Sequence, residues 1–222
     1  MSVRVAVVSA GLSQPSTSRM LAEQIANAVS AQVSARGEAA EVEFIELREL
    51  AQELATTMVT GGLPTPAVAA ARDVLANADA LVAVSPTFTA SYSGLFKMFF
   101  DVLDPDTLRN VPTIVGATAG TARHSLVLDF AMRPLFTYLH ALVVPTGVFA
   151  ATEDFGGGAD GAGLAGRVRQ AASELVTQVM QAGSAVGGFV QSDADLTRRV
   201  SGNQLGATPD FASLLKGHAG SL

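Results

Sequence analysis

The sequence predicts an α/β fold: one doubly wound, five-stranded parallel sheet in strand order 2-1-3-4-5, covered by helices on both faces. Three observations point to it. Five short apolar runs, several rich in β-branched residues, alternate along the chain with segments of helical period. Hydrophobic residues make up 49% of the 222 positions and charged residues only 15%, which suits strands buried on both sides. Each strand is followed by helical material, and right-handed crossovers distribute those helices over the two faces. The length suits one domain. We expect that domain to span residues 1–183, with 184–222 an unassigned C-terminal extension.

The elements follow in order. Residues 3–10 (VRVAVVSA) are apolar after Arg4 and read as a central strand. Leu21, Ile25, Val29 and Val33 recur at four-residue steps and predict a helix over 17–36. Residues 40–47 set apolar positions against Glu41, Glu43 and Glu46, the pattern of a more exposed strand near an edge. A helical stretch with Leu50, Leu54 and Met58 is stopped by Gly61, Gly62 and Pro64, and a second helix runs from Pro66 to Asn77. A strand at 79–85, a helix at 93–103 carrying Leu95, Phe96, Phe99 and Phe100, and a strand at 111–118 come next. Pro112 fits only near the start of that strand. A helix at 123–140, a fifth strand at 142–150 and a last helix at 164–182 complete the order βαβαβαβαβα. The run GGGADGAG at 156–163 reads as a connector or a mobile lid, and a short helix is expected near 211–215.

The bulk numbers exclude several chemistries. A net charge of -6 leaves no electrostatic footprint for nucleic acid. With no cysteine, disulfide scaffolds, thiolate nucleophiles and Cys-ligated zinc are out. His124, His140 and His218 lack ligand spacing, so no metal site is expected. Asp101, Asp104 and Asp106 fall at a helix end and in a turn, where aspartate is common. The amino terminus lacks the pattern of a secretory leader and no stretch has membrane-spanning length, so a cytoplasmic location without membrane contact is expected.

In a doubly wound sheet, ligands sit at the carboxyl edge where the strand order reverses. Three loops open there. The first, Ser9 to Arg19, carries hydroxyls at Ser9, Ser13, Ser16, Thr17 and Ser18. Hydroxyls and the free N–H groups of a helix start hold a phosphate without lysine. The absence of G-x-G-x-x-G and of G-x-x-x-x-G-K-[ST] argues against a dinucleotide pyrophosphate and a triphosphate. Ser16 or Thr17 capping the helix, with Ser13 and Pro15 shaping the turn, accounts for the same residues.

The second loop, Ser85 to Gly94, contains Pro86, Thr87 and Phe88, where a proline-fixed backbone suits the edge of a flat heteroaromatic ring. Phe88 and Tyr92 serve equally as packing residues at a helix start. The third loop, Ala117 to His124, offers Thr118, Ala119, Gly120 and Thr121, short enough to bring backbone N–H groups to a ring edge where charge gathers on reduction. Arg123 and His124 suit either that charge, a nucleotide donor, or simple capping and ion pairing. No nucleophile–base–acid set is present and no catalytic side chain is assigned, since hydride transfer needs none.

Taken together, PSTSRMLA at 15–22, SPTFTASYSGLFKMFFD at 85–101 and TAGTARHSLVLDFAMRPLF at 118–136 resemble the NADPH-dependent FMN reductase family, in the branch that supplies reduced flavin to luciferase-like or alkanesulfonate-type monooxygenases. The resemblance spans about residues 3–155. It implies a flavodoxin-like fold, FMN as the bound flavin, NADPH or NADH as donor, a flavin-dependent monooxygenase as partner, and homodimers or homotetramers. It assigns the phosphate to Ser9, Ser16, Thr17 and Ser18, with Ser13 on the same loop. It assigns the isoalloxazine to Pro86, Thr87 and Phe88 on one edge and Thr118, Ala119, Gly120 and Thr121 on the other, with His124 close by. Thr17 stands where several relatives have arginine, and Phe88 where many have tyrosine.

Two alternatives keep the fold. A flavodoxin-type electron carrier would hold FMN permanently, but such carriers shield the ring with aromatics and are strongly acidic. Here Trp is absent and Phe88 and Tyr92 are the aromatics of the loops. An FMN-containing quinone or azo reductase would pass hydride onward. The helices at 93–103 and 123–140 carry more apolar side chains than a sheet face covers, which predicts a subunit contact.

Overall fold

The computed structural model describes residues 2–156, 159–183 and 201–203. Strand β1 (Ser2–Ser9) is the central strand the apolar run predicts: Ala6 and Val8 enter one hydrophobic cluster and Val5 and Val7 the other. It pairs in parallel with β2 (Ala39–Glu46) and β3 (Ala80–Phe88). β3 pairs with β5 (Pro112–Ala119), which carries β6 (Leu142–Val143) and β7 (Val148–Ala151) on its far side. The order is β2-β1-β3-β5-β6, with β7 also on β5 and the two-residue β4 (Ser91–Tyr92) folded back antiparallel on β3. Taking β6 and β7 as one interrupted fifth strand and setting β4 aside, this is the expected 2-1-3-4-5.

Helices α1 (Thr17–Ser34) and α6 (Ala159–Gly183) supply the core of one face through Leu21, Ile25, Val29, Leu164, Val168 and Leu175. Helices α2 (Ala51–Val59), α3 (Pro66–Asn77), α4 (Gly94–Asp101) and α5 (Arg133–Tyr138) supply the other. There Phe96, Phe100 and Phe136 meet edge-on or tilted, with ring centroids 4.6 to 6.2 Å apart.

Four elements differ from expectation. The expected 123–140 helix is three pieces: a 3₁₀ turn at Ala122–His124, a π turn at Leu128–Met132, and α5. Pro134 has no N–H and its ring crowds the carbonyl four residues back, so the helix widens and Arg133 N bonds Leu128 O instead. His140 then ends α5 with φ 58°: its N–H bonds Thr137 O and that of Ala141 bonds Phe136 O, the paired closure of a left-handed helix end.

The fifth strand is broken by Pro145. Arg133 Nη1 donates to Val144 O at 2.9 Å, Arg133 Nη2 donates to Pro145 O, and Glu174 accepts from Thr146 N at 2.8 Å and Thr146 Oγ1 at 2.7 Å. Burial raises the Glu174 pKa, but the bonds from Thr146 and Gln170 and the charge of Arg133 outweigh it and hold the carboxyl below its ordinary value.

β3 runs past Pro86 to Phe88 and returns through β4, where a plain loop was expected. α6 begins at Ala159, so residues 159–163 of the glycine-rich run are helix rather than connector or lid. A Cβ at Gly161 would lie 2.6 Å from Gly156 O, so the helix start requires glycine there. The short helix expected at 211–215 lies outside the described residues. Among those described, Asn203 Nδ2 donates to Ala69 O at 2.8 Å and to Asp73 at 2.9 Å, and Gly202 O accepts from the buried Arg72, so this part of the tail is tied to α3.

Candidate functional site

Parallel pairing brings the three loops onto one rim. Ser9 is level with Val84, Pro86 with Thr118, and Ala119 with Ala151, so the turns after β1, β3, β5 and β7 leave the sheet side by side. The chain reverses its direction of progress between β1 and β3, the place where such sheets accept ligands.

In the first loop, Ser16 caps α1 by accepting from Arg19 N at 3.2 Å, and Ser13 Oγ donates to Pro15 O at 2.9 Å. The capping and turn-shaping reading of these two therefore holds in this structure. Thr17 and Ser13 are exposed and Ser16 is half-buried. Gly11 is buried, and a Cβ there would lie 1.8 Å from Ser16 Oγ, so the loop folds onto its own cap and a side chain at 11 displaces the capping hydroxyl. Ser9 and Ser18 point inward. Ser18 shares a 2.7 Å hydrogen bond with Thr118, and Ser9 Oγ is buried without a partner among the described residues.

In the second loop, Thr89 and Ala90 sit at φ 49° and 65° between the arms of the hairpin. Pro86 and Thr87 are half-buried, Thr87 Oγ1 is a second buried hydroxyl without a partner among the described residues, and Phe88 is 47% exposed. Phe88 is thus not a packing residue, whereas Tyr92 is, 5.6 Å from the Phe96 ring. In the third loop Ala119 is half-buried, and Gly120, Thr121, Arg123 and His124 are exposed. The space around a Cβ at Gly120 is open, so that glycine answers no steric demand from the described residues.

Three residues at this rim escaped the sequence reading. Arg48, in the 3₁₀ turn at Leu47–Leu50, lies against the Gln14 amide, whose oxygen accepts from Arg48 Nη1 at 3.0 Å once the amide is turned to face it, placing a cation on the first loop; only the adjacency of β2 and β1 hints at it. Gly11 carries no side chain to mark it, and its role shows only in the closeness of Ser16. Ser85 is fully buried and bonds both sides of the hairpin base. Arg19, by contrast, is tied to Glu23 and Glu46 and stacked over Phe44.

The aspartates have local partners: Lys97 pairs with Asp101, Arg109 with Asp106, and Asp104 accepts from Asp106 N. Among the described residues no cluster of three or more potential ligands could hold a metal, and no helix is long and apolar enough to cross a membrane.

Buried hydroxyls without partners, an open helix start and small residues on a strand end make a donor set that fits a flavin mononucleotide. Comparison with known proteins agrees. An NADH-dependent FMN reductase, SfnE, of Pseudomonas putida is 35% identical over 175 residues, 78% of this chain and 91% of the relative. An NADPH-type FMN reductase of Pseudomonas aeruginosa is 35% identical over 154 residues, 68% of this chain and 78% of the relative. The solved structure of an oxidoreductase from Corynebacterium diphtheriae, 54% identical, superimposes with a TM-score of 0.78 over 81% of this chain and 97% of its own. The profile of one family matches residues 3–156, and on that match and these relatives the chain belongs to the NADPH-dependent FMN reductase family.

Proposed function

We propose that this protein is an NAD(P)H-dependent FMN reductase whose three rim loops hold one FMN, phosphate at the first and ring at the other two. The observation that carries this reading is the register itself, which sets Ser9 beside Val84 and Pro86 beside Thr118 and so gathers the loops at the reversal of strand order. FMN, when bound, supplies the redox chemistry: NAD(P)H, a proton and FMN give NAD(P)⁺ and FMNH₂.

The chain's own residues bind and orient. The α1 amino end, with Ser13, Ser16 and Thr17 around it and Arg48 held on Gln14, favours a dianionic phosphate. Ser9 and Ser18 stand one layer deeper, where Ser9 has hydrogen-bonding capacity to spare and Ser18 braces Thr118. Pro86, Thr87 and Phe88 present an edge to the ring, and Thr118 to Thr121 bring small side chains and backbone N–H groups to its other edge, with His124 beyond them. The reductase unit is residues 1–183.

FMNH₂ that leaves such a site passes to an enzyme that spends it on dioxygen, which makes a flavin-dependent monooxygenase the partner. A homo-oligomer is supported by the exposed apolar residues Leu126, Phe130 and Tyr138 and by the groove between α4 and α5 that Phe130, Pro134 and Tyr138 line. One steady-state assay tests the activity: purified protein with FMN oxidises NADH or NADPH well above background. No oxidation ends the proposal. Turnover only with added quinone, free FMN being inert, favours a quinone reductase instead.

A further inference from the structure

We infer that Ser85 is a positioning residue for flavin binding: its hydroxyl closes the base of the hairpin that presents Pro86, Thr87 and Phe88 to the ring. The inference rests on the proposed FMN site and adds to it a residue that makes no contact with the flavin.

The hairpin is short and unfavourable by itself. It has two cross-strand pairs, Thr87 with Tyr92 and Phe88 with Ser91, and its tip holds Thr89 and Ala90 at positive φ without a glycine. β-Branched Thr89 is strained there, and such strain persists only where surrounding structure enforces it. What enforces it lies at the base. Ser93 N donates to Ser85 Oγ at 2.9 Å, and Ser85 Oγ donates to Pro86 O at 2.9 Å, so one buried hydroxyl crosses the base as acceptor and, as donor, braces its own arm.

The clasp is anchored on both sides. Ser85 lies in β3 level with Ala117 of β5. Ser93 caps α4 by accepting from Phe96 N at 3.1 Å, and the next turns of that helix bury Phe96, Phe99 and Phe100 in the core. The direction of the ring-binding edge is therefore set by one hydroxyl between two rigid elements. An alanine at 85 leaves the Ser93 N–H buried without a partner and frees the base of the hairpin.

The test compares Ser85→Ala, Ser85→Thr and Ser93→Ala in NAD(P)H oxidation with varied FMN. Ser85→Ala is expected to raise the KM for FMN roughly tenfold, the scale of one lost buried hydrogen bond, while kcat at saturating FMN stays near wild type. Ser85→Thr, which keeps the hydroxyl, restores KM. Ser93→Ala removes the helix cap, one of the two anchors of the clasp, but keeps the Ser93 N–H, so its melting temperature falls and its KM for FMN rises less than that of Ser85→Ala. If Ser85→Ala does not fold, Ser85→Cys, with its weaker hydrogen bonds, is measured in its place and the same rise is expected. A Ser85→Ala or Ser85→Cys protein with lowered melting temperature and unchanged KM, or a KM that Ser85→Thr does not restore, overturns the inference. Wild-type protein that fails to oxidise NAD(P)H with FMN overturns the functional reading instead, whatever the variants do.

Discussion

Ser18 and Thr118, one hundred residues apart, share a buried 2.7 Å hydrogen bond that fastens the first turn of α1 to the carboxyl end of β5. Both hydroxyls were expected at the flavin; in this structure they bind each other and hold the phosphate loop and the ring-edge loop at a fixed separation. Replacing Thr118 with valine leaves Ser18 buried without its partner and is expected to cost about 1–3 kcal/mol of stability. Adding Ser18→Ala should recover part of that loss. Denaturant unfolding of the two single variants and the double variant checks it, and strictly additive losses would mean the bond contributes nothing of its own.

The fit between Gly11 and Ser16 predicts a sharper effect on binding. Gly11→Ala puts a methyl group where Ser16 Oγ lies, 3.0 Å from Ser16 Cβ and 3.3 Å from Ser18 Cβ, so the hydroxyl swings away, the cap breaks and the loop shifts to make room. The KM for FMN should rise by about tenfold or more. Ser16→Ala, which removes the cap without the clash, should cost about 0.5–2 kcal/mol in stability. Steady-state kinetics with varied FMN separates the two, and an unchanged KM in Gly11→Ala would place the phosphate elsewhere.

The strands and helices of the outer frame were legible because their signals are local: β1 is a continuous apolar run and α1 a four-residue stripe, and both appear within one or two residues of their expected ends. The π turn and the split fifth strand had visible causes in Pro134 and Pro145, which weighed less in the reading than the apolar runs around them. The hairpin had no such signal, since Thr89 and Ala90 hold positive φ without the glycine or asparagine that marks such turns. At the site, the loops could be read from hydroxyl and small-residue content, but not the direction of each hydroxyl. That Ser18 turns to Thr118 and Ser85 to Ser93 depends on contacts across the sheet.

Glu174 gives the protein an acid-sensitive joint. Its folded-state pKa lies below the ordinary 4.5, so its contribution to stability is present above that value and is lost as pH falls through the folded value. Melting temperatures of wild type and Glu174→Gln should therefore differ near neutral pH and converge as pH drops below about 4.5. A gap that stays constant through that range would show that the carboxylate charge is not what binds Thr146.

Phe130 is 78% exposed and Tyr138 74%, beside a groove that α4 and α5 leave open. Light scattering at micromolar concentration should give a dimer or tetramer, and Phe130→Lys should shift it toward monomer. Wild type that is monomeric throughout would remove the subunit contact.

The most direct test of the central claim is a crystal structure of the protein with FMN. The account predicts one flavin on the carboxyl rim, its phosphate at the α1 start within residues 9–18 and its ring between Pro86–Phe88 and Thr118–Thr121. Flavin seated anywhere else on the protein, with that rim untouched at saturating FMN, would contradict it.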